Sequence, residues 1–145
     1  MNISVIIVAG GRGSRMKSEL PKQFLRLAGR PVLMHAVERF YEALPEARLI
    51  VVLPGDQLGY WQQLCAEHGF GIDHEVCAGG ETRFASVRNG LALAGRADYI
   101  AVHDGARPLV SREVIMSALD CAVARGTGVP AIVPCDSFRM MGSGA

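Results

Sequence analysis

The chain has 145 residues, of which 50% are hydrophobic and 20% charged, enough apolar content to bury the core of one domain. Its 15 Lys and Arg nearly cancel 14 Asp and Glu, leaving a formal net charge of +1. That balance excludes a broad electrostatic attraction for nucleic acid or an anionic membrane, so any phosphate must be held by local basic clusters.

In chain order, Ile3 to Val8 is a continuous apolar, β-branched run stopped by Ala9-Gly10-Gly11, which predicts a central strand covered on both faces of a parallel sheet. A long polar loop follows, then a helix from Pro31 to Ala43, with apolar residues at Val32, Leu33, Ala36, Val37 and Phe40 and a proline at its start. Leu49 to Leu53 reads as a second strand ending at Pro54-Gly55, and Gln57 to His68 as a helix closed by Gly69. Ile72 to Cys77 is a shorter, more polar strand and Thr82 to Ala94 a helix. Tyr99 to Val102 is again a strand, Ser111 to Arg125 a helix closed by Gly126, and Val129 to Val133 a last strand. Strands alternating with helices predict an α/β layered sheet, in which ligands bind beyond the carboxyl ends of the strands. Residues 140–145 end the chain just where a new segment would start, so the domain is expected to be cut short.

Met1 to Val5 has no basic leader, no apolar run reaches spanning length, and Cys65, Cys77, Cys121 and Cys135 form no C-x-x-C pair. A cytosolic protein with reduced thiols is the simplest reading. His35, His68 and His74 fall at no metal-ligand spacing, and no zinc site is expected.

The first loop, Ala9-Gly10-Gly11-Arg12-Gly13-Ser14-Arg15-Met16-Lys17-Ser18-Glu19-Leu20-Pro21-Lys22-Gln23, combines small residues that let backbone amides approach phosphate oxygens with arginines and lysines that bring charge. It lacks the third glycine of the dinucleotide fingerprint, and no G-x-x-x-x-G-K-[ST] string occurs. With Pro54-Gly55 where an acidic residue would close the second strand, a nicotinamide-binding domain is the weakest option.

Taken with Phe24, this loop resembles the signature of the 4-diphosphocytidyl-2-C-methyl-D-erythritol synthase family. Two further stretches, Gly79-Gly80-Glu81-Thr82-Arg83-Phe84-Ala85-Ser86-Val87 and His103-Asp104-Gly105-Ala106-Arg107-Pro108, match its second and third motifs in order. The fold so implied is a three-layer, mostly parallel, Rossmann-like sheet of the nucleotide-diphospho-sugar transferase type, with residues 1–145 as its CTP-binding catalytic domain. Beyond Ala145 the family continues with more of the sheet, an arm that pairs two subunits and basic residues for the acceptor. A homodimer is therefore implied for a full-length protein.

By the same resemblance, a sugar phosphate oxygen attacks the α-phosphate of CTP and pyrophosphate leaves. A phosphate monoester is already ionised near neutral pH, its second pKa being about 6, so a general base is not needed and charge neutralisation is the task. Arg15 and Lys22 are implied as the catalytic cations, and Asp104, which follows the strand Tyr99 to Val102, as the ligand for Mg²⁺. Ala9, Gly10, Gly11, Gly13, Gly80, Glu81 and Ser86 are implied around the nucleotide, and Arg107 and Ser137 on the acceptor side.

Bland readings stand beside these. Thr82 has the position of a helix cap, His103 that of a packed or hydrogen-bonded histidine, and Arg107 could pair with a loop carboxylate. Ala9-Gly10 replaces the two alanines of many members, as in the related ribitol-phosphate cytidylyltransferases, and Asp136-Ser137-Phe138-Arg139 replaces the usual Asp-Thr-x-Lys. A ribitol 5-phosphate enzyme and a non-catalytic nucleotide-binding domain remain the alternatives. Gly105-Ala106 before Arg107 leans towards methylerythritol phosphate as acceptor.

Overall fold

The computed structural model describes residues 1–10 and 20–133. Among them, strand β1 (Ile3–Val8) is followed by a 3₁₀ turn at Lys22–Phe24, a two-residue hairpin of β2 (Arg26–Leu27) and β3 (Arg30–Pro31), and helix α1 (Val32–Ala43). Then come β4 (Arg48–Leu53), α2 (Leu58–Glu67), β5 (Glu75–Ala78), α3 (Arg83–Leu93), β6 (Tyr99–Asp104) and α4 (Arg112–Arg125). The four longer strands form one parallel sheet in the order β5-β4-β1-β6.

The expected burial of β1 on both faces follows from this order. Val5 and Ile7 join Leu49, Val51 and Leu53 of β4 in a core closed by Leu33, Met34, Val37 and Phe40 of α1, Trp61 and Leu64 of α2 and Ile115 of α4. Ile6 and Val8, with Ile50 and Val52, face the other way into a smaller cluster that includes Ala94, Val87 and Leu93. Helices on both faces make the three layers. Helix α3 lies close to the sheet because Gly90 carries no side chain: a Cβ there would stand 2.6 Å from Ile6 Cγ2.

Helix ends follow the residues expected to mark them. Thr82 Oγ1 accepts the Ala85 N–H at 3.0 Å and Ser111 Oγ the Val114 N–H at 3.3 Å, each relieving an amide orphaned at a helix start. Gly126 closes α4 in the left-handed region, at φ 85°, where a Cβ would be strained.

Several strand boundaries differ from expectation: β4 starts one residue earlier, at Arg48, β5 ends one residue later, at Ala78, and β6 runs on past Val102 to Asp104. β5 begins at Glu75 rather than Ile72, because residues 72–74 serve a local network instead: Trp61 Nε1 donates to His74 Nε2 at 2.9 Å, and His74 Nδ1 lies 2.7 Å from Ile72 O. Trp61 can only donate, so Nε2 accepts and Nδ1 carries the proton. Residues 129–133 form no strand at all, and Ile132 is 86% exposed. Gly128 packs against the α4 backbone at Ala118 and Ala122, so the chain doubles back along that helix, and the β-branched run joins no ladder among the described residues.

Candidate active site

The segments that leave β1, β4 and β5 meet in a cleft of about 820 Å³ lined by Gly10, Pro54, Gly55, Asp56, Gly79, Gly80, Glu81 and Ser86. Backbone bonds hold the three strand ends together: Ala9 N–H donates to Val52 O at 2.8 Å, and Gly79 N–H to Leu53 O at 2.7 Å. On the other side of β1, Gly105 N–H donates to Val8 O at 2.8 Å, drawing the end of β6 to the same rim.

Of the expected nucleotide contacts, Gly10, Gly80, Glu81 and Ser86 therefore come together, whereas Ala9 is buried beneath them. Gly11, Gly13, Arg15 and Ser137 lie outside the described residues. Glycine is required in the β5–α3 turn by close approach: a Cβ at Gly79 would fall 2.8 Å from Ser86 Oγ, and one at Gly80 would fall 2.5 Å from Ala85 Cβ. Ser86 itself is only 3% exposed. Its hydroxyl accepts the Gly80 N–H at 3.1 Å and donates to Thr82 O at 3.0 Å, so it shapes the turn from beneath. Thr82, as its bland reading had it, is the cap of α3.

Lys22 is half-buried at the start of the 3₁₀ turn that Pro21 introduces. The two residues after it anchor that turn to the segment that follows β4. Gln23, buried, donates to Gln57 Oε1 at 2.8 Å beside the cleft-lining Asp56, and Phe24 packs edge-on to Tyr60 at 5.0 Å between ring centres. The Pro-Lys-Gln-Phe string thus has a local cause: a rigid entry at Pro21 and two buried anchors at Gln23 and Phe24, with Lys22 between entry and anchors.

Asp104 is the last residue of β6, paired in register with Val8. Its carboxylate sits between two guanidinium groups. Arg83 donates to Oδ1 from Nη2 at 3.0 Å and from Nε at 3.3 Å, and Arg107 Nε stands 3.1 Å from Oδ2. Partial burial pushes the Asp104 carboxyl up, but the Arg83 hydrogen bond and the charges of Arg83, Arg107 and His103 together bring it below its ordinary value. His103 is pushed down chiefly by burial; its Nε2 lies 2.9 Å from Arg107 O, and its ring packs on Phe40 at 4.9 Å. Both bland readings hold here: His103 is a packed, hydrogen-bonded side chain, and Arg107 pairs with a carboxylate.

Arg83 was assigned no role from sequence, nor were Pro54, Gly55 and Asp56 placed at the cleft. The strand-end rule contained the signal for the latter three, since they follow β4 as the glycines follow β1 and β5. Nothing local links Arg83 to Asp104, 21 residues away.

Among the described residues the cysteines carry no comparable arrangement. Cys65, Cys77 and Cys121 are half-buried free thiols, and Cys135 lies outside the described residues. Burial pushes the Cys65 thiol up to about 11, which leaves little thiolate for chemistry near neutral pH. No helix among the described residues is long and apolar enough to cross a membrane.

Comparison with known proteins fits this geometry. The family profile of 2-C-methyl-D-erythritol 4-phosphate cytidylyltransferase matches residues 3–143. A Bacteroides fragilis protein of that name is 48% identical over 136 residues, covering 94% of this chain and 62% of its own length. The chain spans about three fifths of the length of the curated relatives it matches. Among solved structures, a bifunctional IspDF from Campylobacter jejuni superposes with a TM-score of 0.71 at 26% identity, over 83% of this chain and 30% of that one. A 4-diphosphocytidyl-2C-methyl-D-erythritol synthase from Anaerococcus prevotii gives 0.69 at 25% identity, over 86% and 51%. With a profile match over nearly its whole length, this chain belongs to the 2-C-methyl-D-erythritol 4-phosphate cytidylyltransferase family.

Proposed function

We propose that this chain binds CTP in the strand-end cleft and carries the CMP-transferring part of an active site whose acceptor is 2-C-methyl-D-erythritol 4-phosphate. The observation that carries the reading is the meeting of Gly10, Gly79, Gly80 and Ser86 on one cleft, with the Arg83–Asp104–Arg107 cluster on the adjoining rim. Small residues leave room for a ring and expose backbone groups to it, while the rim supplies charges for a triphosphate.

In the reaction an acceptor phosphate oxygen forms a bond to the α-phosphorus of CTP as the bond to pyrophosphate breaks. Lys22, on its anchored turn, and Arg15 neutralise the charge that grows on the phosphoryl oxygens, the kind of electrostatic stabilisation that carries such a step. Gly11 and Gly13 are assigned to the nucleotide, and Glu81 and the backbone around Gly80 to its base. Asp104 fits a Mg²⁺ ligand: it offers one hard carboxylate at the cleft rim, and this ion commonly takes one or two carboxylates together with nucleotide phosphates and waters. When bound, the ion would supply charge neutralisation at the phosphates. Arg107 and Ser137 are assigned to the acceptor, and the whole protein to a cytoplasmic homodimer.

Pyrophosphate release from CTP by a full-length protein that contains this chain tests the reading. Release is expected to depend on methylerythritol phosphate and to be far slower with ribitol 5-phosphate. Calorimetry on residues 1–145 should find CTP bound more tightly than UTP or ATP, since groups matched to one base are left unpaired by another. Equal affinities for the three nucleotides would overturn the assignment.

A further inference from the structure

The Asp104 carboxylate is held by Arg107, which the family resemblance places on the acceptor side, and by Arg83, for which it implies no role. Arg83 is the first residue of α3, directly after the cap Thr82 and two residues after the cleft-lining Glu81. It crosses from the β5–α3 turn to the end of β6 and places both Nε and Nη2 on a single oxygen, Oδ1, at 3.3 and 3.0 Å, while Arg107 takes Oδ2. Its side chain is nevertheless 61% exposed. An exposed ion pair of this kind contributes little stability, so the contact is cheap to break. A guanidinium with several donors can move from carboxylate to phosphate and keep charge-assisted bonds in both places.

We propose that Arg83 is a positioning residue that stands in for the cation at Asp104 in the nucleotide-free protein, and that it turns onto the nucleotide's phosphates when metal and nucleotide arrive together. This rests on the reading of Asp104 as a metal ligand. Two consequences of opposite sign follow for the loss of Arg83. With its charge gone, Asp104 meets a divalent cation without a competitor, so the cation alone binds more tightly. The metal–nucleotide complex, having lost a phosphate partner, binds more weakly. A residue that merely braced the β6 end would weaken both or neither.

The test is calorimetric titration of the 145-residue chain, as parent, Arg83→Gln, Arg83→Lys and Asp104→Asn, with Mn²⁺ alone and with CTP at fixed and varied Mg²⁺. Arg83→Gln is expected to bind Mn²⁺ about fivefold more tightly than the parent and Mg·CTP about fivefold more weakly, the scale of one unit charge at about 4 Å in water. Arg83→Lys, which keeps the charge, should lie between parent and Arg83→Gln on both measures and covers the case in which Arg83→Gln does not fold. Mn²⁺ affinity in Arg83→Gln at or below the parent's, including no measurable binding to either, overturns the stand-in role. So does Mg·CTP affinity equal to or above the parent's. If the Mg²⁺ dependence of CTP binding is the same in Asp104→Asn as in the parent, the metal-ligand reading itself fails; if it changes while Arg83→Gln behaves as the parent, only the inference about Arg83 does.

Discussion

Replacing Ser86 by Ala removes one oxygen from beneath the glycine turn and leaves the rest of the cleft in place. That oxygen accepts the Gly80 N–H at 3.1 Å and donates to Thr82 O at 3.0 Å. A hydrogen bond of this kind is worth about 1 kcal/mol net. Three features hold the stability cost down. Gly80 is exposed, so water can reach its freed amide; Thr82 O keeps the Ser86 backbone N–H at 3.0 Å; and Ala exceeds Ser as a helix former by about 0.5 kcal/mol. The variant should therefore lose at most about 1 kcal/mol, a fall in Tm of about 2–4 °C for a chain of this size. Nucleotide binding should suffer more, because a turn no longer pinned at Gly80 must be ordered by the ligand itself. A tenfold loss of CTP affinity, about 1.4 kcal/mol, is the expected scale. Calorimetric titration with CTP and Mg²⁺ beside thermal melts of parent and variant measures both quantities. A lowered melt with CTP affinity within about twofold of the parent's would refute the argument and leave Ser86 as a packing residue only.

Three further outcomes are expected. In a protein that turns over, Lys22→Ala should lose about 3 kcal/mol or more of transition-state stabilisation, over a hundredfold in rate, while the melt barely moves; steady-state pyrophosphate release checks this, and unchanged turnover would sink the assignment. Asp104 titrates below its ordinary 3.8 in the folded chain despite the opposing effect of burial, so its contribution to stability is complete above that value and is lost as the pH falls through the folded pKa. Urea denaturation should thus show the advantage of parent over Asp104→Asn shrinking below about pH 3.8, and a difference that stays constant down to complete protonation would contradict it. Gly90→Ala places a Cβ 2.6 Å from Ile6 Cγ2 and 3.1 Å from Val52 Cγ2, an overpacking expected to cost about 1–3 kcal/mol; a melt at or above the parent's would show that α3 shifts without strain.

The alternation of strands and helices was legible in the chain because burial leaves a local trace. A strand covered on both faces, such as Ile3–Val8, is written as an unbroken apolar run, and a helix that must stop is written as a glycine at 126. The glycine turn was legible for a similar reason, since close approach of backbone demands glycine at Gly79 and Gly80, whereas the role proposed for Lys22 rests on the family resemblance. Strand pairing leaves no such trace. The run 129–133 has the composition of a strand but no ladder among the described residues, because the chain folds back on α4 at Gly128, and an unpaired strand gains nothing for its ordering. The contacts within the site likewise follow from packing that no pattern in the chain announces. Ser86 does line the cleft, but its hydroxyl is committed to Gly80 and Thr82. Arg83 looked like the opening of a helix and meets Asp104 only because β6 lies beside β1, whose other neighbour is β4. Local sequence records how each residue is solvated and turned; which charge meets which depends on the order of strands in the sheet, a property of the whole chain.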